Sequence, residues 1–157
     1  MEKNKKLIPG LPTGFEDRWD NKLYLKKKLL RIIEENFIKY GFEPLETPSF
    51  EISENIGSFL ADDDSNPMSD VFTFNDGEKN ITLRYDLSSP LARFVAQNNQ
   101  QLPLPYKRYA IQNVFRNEKA GNARYREFTQ ADCDIVGNVN PAQSNAELCN
   151  LIASTLI

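Results

Sequence analysis

The sequence predicts an α+β domain, an antiparallel β-sheet flanked by helices, on three observations. Two long strand-like segments, 106–117 and 124–136, are joined by a charged loop containing Gly121. A second pair of short apolar runs, 71–74 and 81–85, flanks Asn75-Asp76-Gly77, a hairpin signal. Between and around them lie segments whose apolar residues recur at helical spacing. A length of 157 residues suits one ordinary domain.

The elements follow in order. Residues 1–16 read as an extended lead-in with Pro9, Pro12 and Gly14. Asp17 is placed to cap a helix over 18–40. Leu25, Leu29, Ile32 and Ile33 recur along it, and Leu30, Phe37 and Ile38 widen the stripe, which serves either core packing or a dimer surface. Gly41 is the expected left-handed terminator. The segment 42–50 carries Pro44 and Pro48 and reads as an edge strand, because proline donates nothing to a ladder. Residues 53–70, with aspartates at 62–64, read as short helices and loop. Ser88-Ser89-Pro90 opens a helix to about Gln97, with hydroxyl caps ahead of a first-turn proline. Pro141 begins a last helix carrying Ala146, Leu148, Leu151, Ile152 and Leu156, with no stop signal, as expected of a truncated domain.

Composition narrows the chemistry. The chain has no histidine, which removes His-activated nucleophiles, His general bases and His metal ligands. Cys133 and Cys149 make no disulfide framework and lack the spacing of a zinc site, so reduced thiols in the cytoplasm are expected. No apolar run reaches the roughly 18 residues of a membrane span. A net charge of −3 and 40% hydrophobic content fit a soluble domain without a global nucleic-acid footprint. Basic clusters at Lys3, Lys5 and Lys6 and at Lys26, Lys27 and Lys28 read as solvated charge.

A third cluster, Arg116, Lys119, Arg124 and Arg126, differs. Strand side chains alternate between faces. Along 124–135 the odd positions Tyr125, Glu127, Thr129, Ala131, Cys133 and Ile135 suit a core. The even positions Arg124, Arg126, Phe128, Gln130, Asp132 and Asp134 are polar around one aromatic ring. A solvent-facing strand would alternate likewise. However, Thr82, Arg84, Asp86 and Ser88 share one parity as well. If these strands are neighbours in one sheet, arginines and carboxylates converge. Such a surface suits a zwitterion joined to a phosphate ester: arginine for phosphate, Asp86 and Asp134 for an ammonium, Gln130 between them, Phe128 under a base.

These residues resemble the N-terminal part of the catalytic domain in the histidyl-tRNA synthetase family of class II aminoacyl-tRNA synthetases. Gly41–Glu51 resembles motif 1, with Pro48 at its proline. Thr82–Ser88 resembles the first histidine-side motif, with Asp86 for Glu and Ser88 for Thr. Phe115-Arg116-Asn117-Glu118 through Phe128 resembles motif 2. The resemblance covers residues 8 to 157.

It implies a histidine–tRNA ligase that forms histidyl-adenylate from histidine and ATP, with Mg2+, then charges tRNA(His). Arg116 would be catalytic and hold the α-phosphate. Glu118 would meet the adenine amino group, Phe128 its ring and Arg124 the γ-phosphate. Arg126 would have a supporting ion-pair role. Asp86, Ser88, Gln130 and Asp134 would bind the α-amino group of histidine, and no residue is assigned to a metal. A homodimer through motif 1 is implied. Motif 3, the second histidine motif and an anticodon-binding domain lie outside these residues, so a fragment with little aminoacylation is expected. The alternative is the histidine-sensing regulatory subunit of ATP phosphoribosyltransferase, which shares the fold and has no need of nucleotide-contacting residues.

Overall fold

A computed structural model describes residues 8–57 and 70–156. The lysines at 3, 5 and 6 and the aspartates at 62–64 lie outside them. The first helix, α1 (Asp20–Lys39), begins after Trp19, whose side chain makes no capping bond. The expected Asp17 cap is therefore two residues early. The end is as expected. Gly41 takes φ +78°, its N–H bonds the Ile38 carbonyl at 2.9 Å, and the Phe42 N–H bonds Phe37 at 3.0 Å. This doubled closure returns the chain sharply and satisfies two helix-end carbonyls.

Strands β1 (Glu43–Pro44) and β2 (Phe50–Ile52) follow, then the short α2 (Ser53–Gly57), β3 (Thr73–Asn75), β4 (Asn80–Leu83), α3 (Ser88–Asn98), β5 (Tyr106–Phe115), β6 (Glu127–Val136) and α4 (Pro141–Leu156). Among the described residues two three-stranded sheets form, β1-β5-β6 and β2-β4-β3. Strand β1 runs parallel to β5, whereas every other pairing is antiparallel. The expectation of one sheet joining β4 to β5 and β6 is corrected: alternation fixes which side chains share a face, not which strands are neighbours.

A joint connects the sheets. The Phe115 N–H bonds the Arg84 carbonyl at 3.0 Å, and the Arg84 N–H bonds Ser49 at 2.9 Å. The Arg84 side chain, 4% exposed, donates to the carbonyls of Asn113 at 2.6 Å and Thr47 at 2.7 Å. Arg84 and the buried Thr82, bonded to Ser53 at 2.7 Å, thus belong to the framework.

One core lies between the first sheet and the helices, where Phe37, Phe42, Tyr109 and Leu151 pack with Cys133 and Ile135. The odd face of β6 is the core face, as its alternation predicts. On the opposite face Leu87, Ala110 and Val114 pack against Phe128. The stripe of α1 is only partly covered: Leu25, Leu29 and Ile38 are each 56% exposed.

Candidate functional site

The site is built on the even face of the β5–β6 hairpin. Its register sets Arg108 opposite Asp134, Ala110 opposite Asp132, Gln112 opposite Gln130 and Val114 opposite Phe128. Beyond the last ladder pair the Arg116 N–H still bonds the Arg126 carbonyl at 2.8 Å, so the hairpin stays closed up to its loop. A bridge between Gly121 and Arg124 tightens that loop.

Arg116, Glu118, Arg124 and Phe128 line one cavity of about 350 Å3 with Ala123 and Tyr125. A larger concavity, about 540 Å3, is formed by the single stretch Glu16 to Lys22 and draws no polar groups from separate elements. The smaller cavity is therefore the better site, because convergence and not volume defines one. The Arg116 guanidinium lies over two rings, 4.4 Å from the centre of Tyr85 and 5.1 Å from that of Phe128. Its Nε donates to the Tyr85 carbonyl at 3.3 Å. Arginine is thereby held by stacking, with donors to spare for a phosphate.

Glu118 accepts a hydrogen bond from the Tyr85 hydroxyl at 2.9 Å and pairs with Arg124. The Tyr85 hydroxyl and then Arg124 hold its carboxyl below the ordinary carboxylate value. Burial, and then the bond to Glu118, push the Tyr85 phenol upward. Both effects favour a charged Glu118 beneath a neutral Tyr85 at neutral pH. Arg126 donates to the Glu118 carbonyl at 2.9 Å, a backbone contact where an ion pair was expected. Its own N–H bonds the Gly14 carbonyl at 2.8 Å, which ties the lead-in to the hairpin.

The second group divides between two elements. Asp86 and Ser88 stand at the entry to α3. The Asp86 carboxylate accepts the Ser89 N–H at 3.0 Å and so caps the helix, a task expected of the serine hydroxyls. Ser88 is exposed. Gln130 and Asp134 lie on β6. No hydrogen bond among the described residues engages the Gln130 amide. Asp134 Oδ2 lies 2.5 Å from Nη2 of Arg108, a close charge contact without hydrogen-bond alignment. Burial raises the Asp134 carboxyl above its ordinary value, and Arg108 opposes that shift. Tyr85 and Arg108 escaped the sequence reading. For Arg108 a signal existed, since in an antiparallel hairpin it shares a face with Asp132 and Asp134.

Among the described residues no three His, Cys, Asp or Glu side chains converge to hold a metal. No helix among them is long and apolar enough to cross a membrane.

The β5–β6 hairpin thus presents arginines, a carboxylate and a ring on one face and is backed by helices on the other. Solved aminoacyl-tRNA synthetase structures share this fold. A histidyl-tRNA synthetase from Nostoc sp. PCC 7120 superposes with a TM-score of 0.80 at 26% identity, covering 96% of this chain and 32% of that one. A protein described as an ATP phosphoribosyltransferase regulatory subunit/histidyl-tRNA synthetase, from Bacillus halodurans C, gives 0.79 at 25% identity, covering 99% and 39%. The family model described as Histidyl-tRNA synthetase matches residues 14–157, and the chain belongs to that family. It is 82% identical to the histidine–tRNA ligase of Pelagibacter ubique (strain HTCC1062) over 157 residues, which are 100% of this chain and 34% of the relative. It is 45% identical to that of Rhodopseudomonas palustris (strain TIE-1) over 156 residues, 99% of this chain and 30% of the relative. The chain thus spans about a third of the length of these curated relatives.

Proposed function

We propose that this chain supplies the adenylate-forming floor of a histidine–tRNA ligase, with residues 1–157 as the motif 1 and motif 2 portion of its catalytic domain. The observation that carries the reading is the shared cavity of Arg116, Glu118, Arg124 and Phe128. Those groups contact one another across the cavity, and together they match an adenine, its amino group and a polyphosphate. The histidine carboxylate attacks the α-phosphorus, the bond to the β-phosphate bridge breaks and pyrophosphate leaves. Arg116 stabilises the charge gathering on the α-phosphate. The framework orients the reactants, and electrostatics and positioning provide the acceleration. In the second step the histidyl group passes to tRNA(His), chemistry that belongs to the cytoplasm. Magnesium would arrive with ATP.

Binding requires rearrangement. Arg124 pairs with Glu118 across the floor, so ATP must part them as adenine takes Glu118 and the phosphates take Arg124. Asp86, Ser88, Gln130 and Asp134 receive the α-ammonium. A second copy of the chain covers the exposed leucines of α1, making a homodimer.

Calorimetric titration of the full-length gene product with ATP and with histidine tests the reading. Both ligands should bind, and Arg116→Ala should weaken ATP alone. Histidine binding without ATP binding would overturn it in favour of a histidine-sensing regulatory subunit.

A further inference from the structure

Arg108 is 0% exposed and sits in the middle of a sheet. A buried guanidinium is retained only where partners offset its desolvation. Its Nη2 has three: Asp134 Oδ2 at 2.5 Å, Asp132 Oδ2 at 3.1 Å and the Leu87 carbonyl at 3.2 Å. Leu87 is the residue between Asp86 and Ser88. One guanidinium therefore touches both halves of the proposed ammonium site, the β6 carboxylates and the entry to α3. Nothing else among the described hydrogen bonds and ion pairs connects them.

The charge count is also informative. Arg108 carries one positive charge and faces two carboxylates, so with both ionised one negative charge is left unbalanced. Asp132 and Asp134 are two apart on one strand and point the same way. Arg108 satisfies one carboxylate equivalent and holds the other beside it, with both carboxylates partly exposed and open to a ligand. A cation is the complement of that arrangement.

We propose that Arg108 is the positioning residue of the amino-acid site, holding Asp134 and the Asp86–Ser88 turn together, and that Asp132 supplies the surplus negative charge that draws in the substrate ammonium. This rests on the ligase reading of the same site. Arg108 touches no substrate; it acts through Asp134 and Leu87. Asp132 strengthens ammonium binding although it stands outside the four residues assigned to it.

The test compares histidine with imidazole-propionate, which keeps the ring and the carboxylate and lacks the amine. Dissociation constants for both, and KM for histidine and for ATP, are measured on the full-length gene product and on Arg108→Leu, Arg108→Lys and Asp132→Asn. Wild type should prefer histidine. Asp132→Asn is isosteric at a residue with a partly exposed side chain, so the fold should survive. It should cut the preference for histidine by roughly tenfold or more while leaving KM for ATP within about twofold. Arg108→Leu should abolish the preference, and Arg108→Lys should restore part of it. A merely structural arginine would lower both KM-related affinities and thermal stability together. If wild type shows no preference for the amine, the ligase reading of this site fails. If wild type prefers the amine and Asp132→Asn keeps that preference intact, the reading stands and the role given to Arg108 and Asp132 is wrong.

Discussion

Replacing Arg84 with leucine is a severe test of the joint between the sheets. Its guanidinium satisfies two backbone carbonyls, Asn113 on β5 and Thr47 in the loop before β2. A hydrogen bond from a charged donor contributes about 1.5–3 kcal/mol, so two lost bonds cost about 3–6 kcal/mol. Removing the arginine also removes its own desolvation penalty, the leading cause that lowers its pKa. That gain offsets part of the loss, and leucine refills part of the volume. The net destabilisation should be about 2–4 kcal/mol, a large fraction of the 5–15 kcal/mol typical of a domain. Arg84→Lys should lie between, because one ammonium reaches fewer of the carbonyls in this geometry. Urea unfolding followed by far-UV circular dichroism reads the change as a shift of midpoint at constant slope. A loss below about 0.5 kcal/mol would refute the joint. So would intact stability with lost ATP binding, which would return Arg84 to the ligand surface that its parity suggests.

Three further outcomes follow from the site and core. Tyr85→Phe removes a hydroxyl that holds the Glu118 carboxyl low. That stability is present above the ordinary carboxylate value of 4.5 and is lost as pH falls through the lower folded value. Wild type should exceed the variant by about 1 kcal/mol at pH 6 and converge with it once the pH falls below the folded value; a gap constant with pH contradicts the pairing. Gly14 has φ +86°, and a Cβ there would lie 2.7 Å from Arg126 Cγ. Gly14→Ala should therefore cost about 1–2 kcal/mol in unfolding experiments, and a neutral result would mean the lead-in does not brace the hairpin. Burial pushes the Cys133 thiol up to about 11, whereas Cys149 is exposed. Iodoacetamide at pH 8 should label Cys149 and spare Cys133 until the chain unfolds; equal labelling would show an open core.

Much of this was legible in the sequence because strand alternation is local. The period of two along 124–135 separates Cys133 and Ile135, which pack against the core of Phe37 and Leu151, from Phe128, Asp132 and Asp134, which lie on the opposite face. Gly41 was readable for the same reason: only its immediate backbone decides. Long-range facts were hidden. Pro44 marked an edge, and β1 is one, but nothing local says that it pairs parallel with β5. The parity of Thr82 and Arg84 matched a ligand surface, yet both are buried in the framework of a separate sheet. Asp86 reads as a binding carboxylate and is in addition the cap of α3. Arg116, Glu118, Arg124 and Phe128 could be grouped because motif spacing brings them to one hairpin end. For Arg108 the signal was weaker: a hairpin of two strands puts it or Lys107 beside the β6 aspartates, and the register decides for Arg108.

Histidine-dependent exchange of pyrophosphate into ATP, by the full-length gene product with Arg116 intact and as Arg116→Ala, tests the central claim most directly. Arg116 lies stacked on two rings in the cavity that it shares with Glu118, Arg124 and Phe128. If it stabilises the α-phosphate in the transition state, exchange should fall by about 10²–10³-fold, equivalent to about 2.7–4 kcal/mol, with histidine affinity kept. Exchange unchanged by the substitution would contradict the account.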